Sequence, residues 1–243
     1  MTVNQFNRTE ILIGKDNMQK LHKMHVAVFG VGGVGGFAAE ALVRSGIGHL
    51  DLIDNDIVSL TNLNRQIIAL HSTVGMNKVD VAEQRFKDIN PQIIITKHKK
   101  FFLPENVSDF DFSDYDYIID AIDTVAGKIA LAQIAQERNI PIISAMGAGN
   151  KLNPCSFCVT DIYKTKECPL AKVMRKELKA RKIKKLKVVY SEEHAITPAV
   201  SEENSGKRQT PGSIAFVPSV AGLIMAAEVT KDLIAIHDDK DDD

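Results

Sequence analysis

Over its first 150 residues the chain alternates short apolar runs with longer amphipathic ones. "HVAVFG", "HLDLIDND", "QIIITKHKKF", "YDYIIDAID" and "IPIISAMGAG" are brief and rich in Val and Ile, and most run into glycine or acid. Runs of this kind predict buried strands. Between them lie "GGFAAEALVRSGIG", "NKVDVAEQRFKDINP" and "AGKIALAQIAQERN". The first places Phe37, Ala41 and Leu42 at helical spacing and closes at Gly46 and Gly48; the second is amphipathic and stops at Asn90-Pro91. These patterns predict helices.

Strands alternating with helices of this length imply a parallel sheet covered on both faces. Right-handed crossovers bring the C-terminal ends of the strands to one rim, where such sheets bind ligands. After residue 150 the rhythm changes. "SFCVTDIYKT" predicts an edge strand, "CPLAKVMRKELKARKIKK" a basic helix and "LKVVYS" a strand. Residues 192–213 form a long polar stretch, expected to be a mobile loop. "IAFVPS" predicts a short strand and "VAGLIMAAEVTKDLIAI" a closing amphipathic helix. The expected fold is α/β: a Rossmann-like, mostly parallel sheet, extended in the C-terminal half by strands that are partly antiparallel. No linker divides the chain. One domain is expected over 1–243, with a nucleotide-binding half to 150, a substrate-binding half over 151–236 and an acidic tail over 237–243.

Composition narrows the function classes. A formal charge of −1 over 243 residues excludes a protein that is basic throughout. The N-terminus lacks a basic stretch followed by an apolar core, so no secretory signal is expected. "VAGLIMAAEV" breaks at Glu228, far short of the ~20 apolar residues a membrane span needs. Three cysteines, an odd count, point to a reducing cytoplasm rather than a disulfide framework.

The stretch "VAVFGVGGVGG" holds Gly30, Gly32, Gly33 and Gly35, with G-x-G-x-x-G spacing between a strand and a helix. Gly30 suits a tight turn, Gly32 a close approach of backbone to phosphate, and Gly35 close helix packing. The helix N-terminus adds free N–H groups. Asp54 closes the second strand, in position to accept ribose hydroxyls. These residues fit NAD and ATP equally. The segment "DNDIVSLTNLNRQ" adds Asn62, Arg65 and Gln66, and Lys78 opens the next helix. An arginine fork and a lysine point charge beside a phosphate loop suit a triphosphate and a departing pyrophosphate. Asp123, past the strand that carries Asp120, offers a carboxylate at the rim for Mg²⁺. Asp120 sits earlier and suits orientation of the loop.

With "GVGGVG", Asp54, "NLNRQ", Lys78 and "DAID" assembled over residues 26–123, the sequence resembles the ubiquitin-activating-enzyme-like superfamily of ThiF, MoeB and HesA type. The resemblance implies ATP-dependent adenylation of a carboxylate. It implies a homodimer in which the N-terminal arm, here "FNRTEILIG", sends Arg8 into the partner's nucleotide site. Members that act on sulfur-carrier proteins hold zinc on two C-x-x-C pairs. Here there is one pair, Cys155 and Cys158, and three cysteines in all, so a Cys₄ zinc is excluded, no structural zinc is expected and core cysteines are expected.

The second half is similar to the branch of that superfamily that acts on tRNA, closing threonylcarbamoyladenosine to a cyclic hydantoin. Adenylation of a sulfur carrier's C-terminal glycine is the alternative. Residues 164–187 contain eleven Lys or Arg and two acids. That local excess favours tRNA phosphates as the partner. The candidates are Lys172, Arg175, Lys176, Lys179, Arg181 and Lys182, with Lys184 and Lys185 beside them, and Lys207 and Arg208 on the polar loop. No aromatic residues are interleaved for base stacking, so backbone contacts are expected. That loop has no cysteine, which excludes a thioester there. A sulfur-relay protein is a further partner the resemblance allows.

Overall fold

Every apolar run up to residue 145 becomes a parallel strand of one seven-stranded sheet. The computed structural model describes residues 3–197 and 211–236. The strands are β1 (His25–Phe29), β2 (His49–Ile53), β3 (Ile94–His98), β4 (Tyr117–Asp120), β5 (Ile142–Ala145), β6 (Phe157–Asp161) and β7 (Lys187–Ser191). Their order is β3-β2-β1-β4-β5-β7-β6, with only the β6–β7 pair antiparallel. The order reverses between β1 and β4. That switch point opens a crevice at the C-terminal ends of the strands.

The inner strands β1, β2, β4, β5 and β7 are buried on both sides, which explains runs too dense for simple alternation, whereas the edge strand β3 is largely exposed. Val26 and Val28 of β1 face one layer, with helices α3 (Gly35–Ser45), α4 (Lys78–Ile89) and α7 (Phe216–Ile234). Ala27 and Phe29 face the other, against Phe102, Phe110, Phe112 and helix α5 (Val125–Arg138). Helix α6 (Pro169–Ala180) packs Ala171, Met174 and Leu178 against Val188 and Tyr190 of β7. Two short helices, α1 (Asn7–Ile13) and α2 (Lys15–Leu21), precede the sheet. α2 buries Met18 and Leu21, whereas Ile11 and Leu12 of α1 are 85% and 84% exposed.

Three sequence expectations need correction. The buried stripe of α3 is Ala38, Ala39, Leu42 and Val43; Phe37 and Ala41 are half-buried. "IAFVPS" forms no strand. Phe216 opens α7, and Pro218 falls in its first turn, where a missing N–H costs nothing. A six-residue apolar run does not separate the two outcomes. Of the C-x-x-C pair, Cys155 is exposed, because it lies in a 3₁₀ turn ahead of β6, and Cys158 is half-buried; only Cys168 belongs to the core. Gly46 does close α3, at φ +96°, donating to the carbonyls of Leu42 and Val43. No described helix is long and apolar enough to cross a membrane.

Candidate active site

The crevice at the switch point is a cavity of about 360 Å³. β1 ends at Phe29, and Gly30 turns the chain at φ +90°. A side chain there would meet the Ala121 carbonyl at 2.8 Å, so only glycine makes this turn beside β4. Gly32 and Gly33 line the cavity. Gly35 does not: a Cβ on it would lie 1.8 Å from the Gly30 carbonyl oxygen, so it seats α3 against the loop. α7 supports the same helix from outside, where Gly222 passes so close to the Val34 carbonyl that a Cβ would come within 2.2 Å. No side chain caps the N-terminus of α3. Its free N–H groups and dipole favour an anion.

Asp54 follows β2. Its carboxylate accepts from the Val31 N–H at 2.8 Å and the Asp56 N–H at 2.9 Å. Burial pushes its acidity to higher pH, against the opposing pull of Lys78. Lys78 is itself buried. Its Nζ lies 2.7 Å from Asp56 and 4.0 Å from Asp54. An anionic ligand thus competes with Asp56, which is 59% exposed, for a cation already in place. Arg65 donates from Nη1 to the Thr61 carbonyl at 2.9 Å and to Asn64 at 3.0 Å. Those bonds fix the guanidinium at the cavity wall and leave Nε and Nη2 without partners among the described residues. Asn62 accepts from the Ser59 N–H and also lines the cavity. Gln66 is 7% exposed, and its Oε1 is buried with no hydrogen bond among the described residues. An orphaned acceptor in a cavity wall fits a site built for a ligand that donates.

The two acids of "DAID" separate. Asp123 is exposed at the rim and lines the cavity. Asp120 is fully buried, accepting from Ser144 Oγ at 2.6 Å and Lys128 Nζ at 3.0 Å, with the Ile122 N–H at 3.4 Å. Its oxygens are engaged below the rim, where they hold the loop that carries Asp123. Lys128 and Ser144 went unnoticed in the sequence because neither carries a motif. Lys100, Phe101 and Phe102 also line the cavity and were missed. Their signal was positional, since they follow β3 on the same rim. Arg8 is exposed on α1 and does not line the cavity of its own chain.

The basic segment is less uniform than its sequence. Lys172, Lys176 and Lys179 project outward from α6. Arg175 does not: its guanidinium turns back to the Thr165 carbonyl at 3.0 Å and to the Thr165 hydroxyl. Arg181 pairs with Glu177 at 2.7 Å. Lys182 sits at φ +60° just past the helix and lines, with Lys184 and Lys185, a groove at the edge where β4, β5 and β7 begin. α6 starts beside the cavity rim, since a Cβ on Gly147 would lie 3.9 Å from Cys168 Sγ. Twelve helical residues, ~18 Å, then carry the lysines toward the opposite edge of the sheet. Lys207 and Arg208 lie outside the described residues.

A glycine loop, an acid at the end of β2, two placed cations and a rim carboxylate around a doubly wound switch point define a nucleotide-dependent enzyme of the adenylating type. The chain matches the ThiF family over residues 6–241 and belongs to it. It is 46% identical to the tRNA threonylcarbamoyladenosine dehydratase of Bacillus subtilis, over 96% of this chain and 95% of that one. It is 43% identical to the Escherichia coli protein of the same name, over 72% of this chain and 66% of that one. The crystal structure of the Escherichia coli dehydratase in complex with ATP superposes with a TM-score of 0.86 at 36% identity, covering 95% of this chain and 94% of that one.

Proposed function

We propose that this protein uses ATP to dehydrate threonylcarbamoyladenosine in tRNA to its cyclic hydantoin. One observation carries the reading: Gly30, Gly32, Gly33, Arg65, Lys78 and Asp123 meet at one cavity in a chain that is similar over nearly its whole length to a dehydratase of that name. Asp54 and Gln66 bind the nucleoside end, and the loop and the α3 N-terminus bind the phosphates. The substrate carboxylate attacks the α-phosphorus, and pyrophosphate leaves. Arg65 and Lys78 stabilise the charge that gathers on that leaving group. A carbamoyl nitrogen then attacks the activated carbonyl carbon, loses its proton and expels AMP, closing the ring. The net loss from the nucleoside is one water. Asp123 would hold Mg²⁺, which would supply further charge neutralisation on the phosphates.

Lys172, Lys176, Lys179 and Lys182 bind the tRNA backbone. Arg8 completes the nucleotide site of a second copy in a homodimer. The test is direct: incubate the protein with ATP, Mg²⁺ and threonylcarbamoylated tRNA, then digest and weigh the nucleosides. The expected product is lighter by one water and forms only with ATP. An unchanged nucleoside mass, with the protein folded and ATP bound, contradicts the proposal.

A further inference from the structure

A second polar cluster lies on the sheet, toward the edge where β1 and β2 begin. Asp51 of β2 is 4% exposed, and three imidazoles converge on it. Its Oδ1 lies 2.8 Å from His25 Nε2 and 3.3 Å from His49 Nε2. Its Oδ2 lies 2.7 Å from His98 Nε2 and accepts from the Tyr115 hydroxyl at 2.8 Å. The register explains the gathering. His25 pairs with His49 across β1 and β2, and Asp51 follows two residues later on the same face. Burial pushes the Asp51 carboxyl up, but hydrogen bonds from His25, His98 and Tyr115 outweigh it and hold the group well below the usual carboxylate range.

We propose that His25, His49 and Asp51 bind a divalent cation of the zinc class, through the two Nε2 atoms and Oδ1. The ligand atoms all lie within 4.8 Å of one another. Zinc–nitrogen and zinc–oxygen bonds of about 2 Å at tetrahedral angles place ligand atoms roughly 3.3 Å apart; His49 Nε2 lies 3.3 Å from Oδ1, and His25 Nε2, at 2.8 Å, moves outward on binding. Two imidazoles with one carboxylate suit a borderline cation over Mg²⁺ or Ca²⁺, which favour oxygen. The other carboxylate oxygen is already held by His98 and Tyr115, the outer support that orients a ligating acid. The His25 and His49 side chains are 15% and 27% exposed, which leaves an outer position for water.

The two rings stack with centroids 3.5 Å apart and nearly parallel planes. A shared ion therefore asks His49, the more exposed, to tilt and give up its 3.0 Å contact with Thr96. Both imidazoles bind in the neutral form with the proton on Nδ1, so the cation takes the place of Nε2 protons facing Asp51. At ~3.3 Å per residue, His25 and His49 lie roughly 16 Å along their strands from Gly30 and Asp54, and Asp51 lies about 10 Å from Asp54. The ion is thus a clamp between β1 and β2 rather than part of the reaction. The cysteine count excludes a Cys₄ zinc only.

The experiment uses the untagged full chain, stripped of metal, without nucleotide and with excess Mg²⁺. Co²⁺ is added and followed by visible absorption, and Zn²⁺ affinity is measured by competition with a chromophoric chelator. The expected result is one equivalent bound at micromolar Kd or tighter, with the intense absorption of four-coordinate Co²⁺. His49→Gln and, separately, His25→Gln weaken binding at least ~10-fold while circular dichroism stays native. The acidic tail is unchanged in both variants, so the difference reads the cluster. No absorption band and no zinc binding below millimolar overturns the proposal, as does binding that both folded variants retain.

Discussion

Two populations of cations occupy this molecule. Lys78, Lys128 and Arg175 have partners fixed by the fold: Asp56, Asp120 with Ser144, and Thr165. Lys172, Lys176, Lys179, Lys182, Lys184 and Lys185 project into solvent. The first kind has an address and the second has a density. A held cation is pre-organised and acts on charge at one atom. A row of free lysines neutralises any polyanion, and its effect depends on salt. Arg65 stands between the two, anchored through one nitrogen and open through the others.

The largest effect is expected at the deepest pair. Lys128→Met leaves Asp120 buried without its cation and should lower the unfolding free energy by about 3–5 kcal/mol, read from a denaturant curve. Next comes Arg65→Ala, which should cut kcat/KM by roughly 10²–10³-fold in the dehydration assay, with Arg65→Lys restoring only part because a point charge lacks the planar fork. Third is Lys179→Glu, Lys182→Glu, Lys184→Glu and Lys185→Glu combined. The tRNA Kd should rise at least ~10-fold at low salt, the slope of log K against log salt should flatten, and kcat at saturating tRNA should hold. The smallest is Arg175→Ala. It should cost about 1–2 kcal/mol of stability and leave the tRNA Kd within about twofold. A large Kd change in that variant would place Arg175 back among the free lysines.

The legibility of the sequence follows the range of the interactions. The parallel strands, the glycine turn, and the rim positions of Asp54, Arg65, Lys78 and Asp123 were all readable, because each is fixed by a local pattern plus one topological rule. The Asp120–Lys128–Ser144 triad was not, because it joins β4, α5 and β5 through burial. The inward turn of Arg175 depends on Thr165, ten residues earlier, and a charge count weights it like its neighbours. His25, His49 and His98 are scattered in sequence, and only strand register brings them to Asp51. "IAFVPS" failed for a different reason: a short apolar run beside a proline is equally the first turn of a helix.

In the proposed reaction the cavity directs a substrate carboxylate onto the α-phosphorus of ATP. Labelling both carboxylate oxygens of the threonylcarbamoyl group with ¹⁸O and weighing the nucleotide products tests it most directly. The expected outcome is AMP carrying one labelled oxygen, with unlabelled pyrophosphate. Label in inorganic phosphate, with ADP as the nucleotide product, would mean attack at the γ-phosphorus and would contradict the assignment of Arg65 and Lys78 to a departing pyrophosphate.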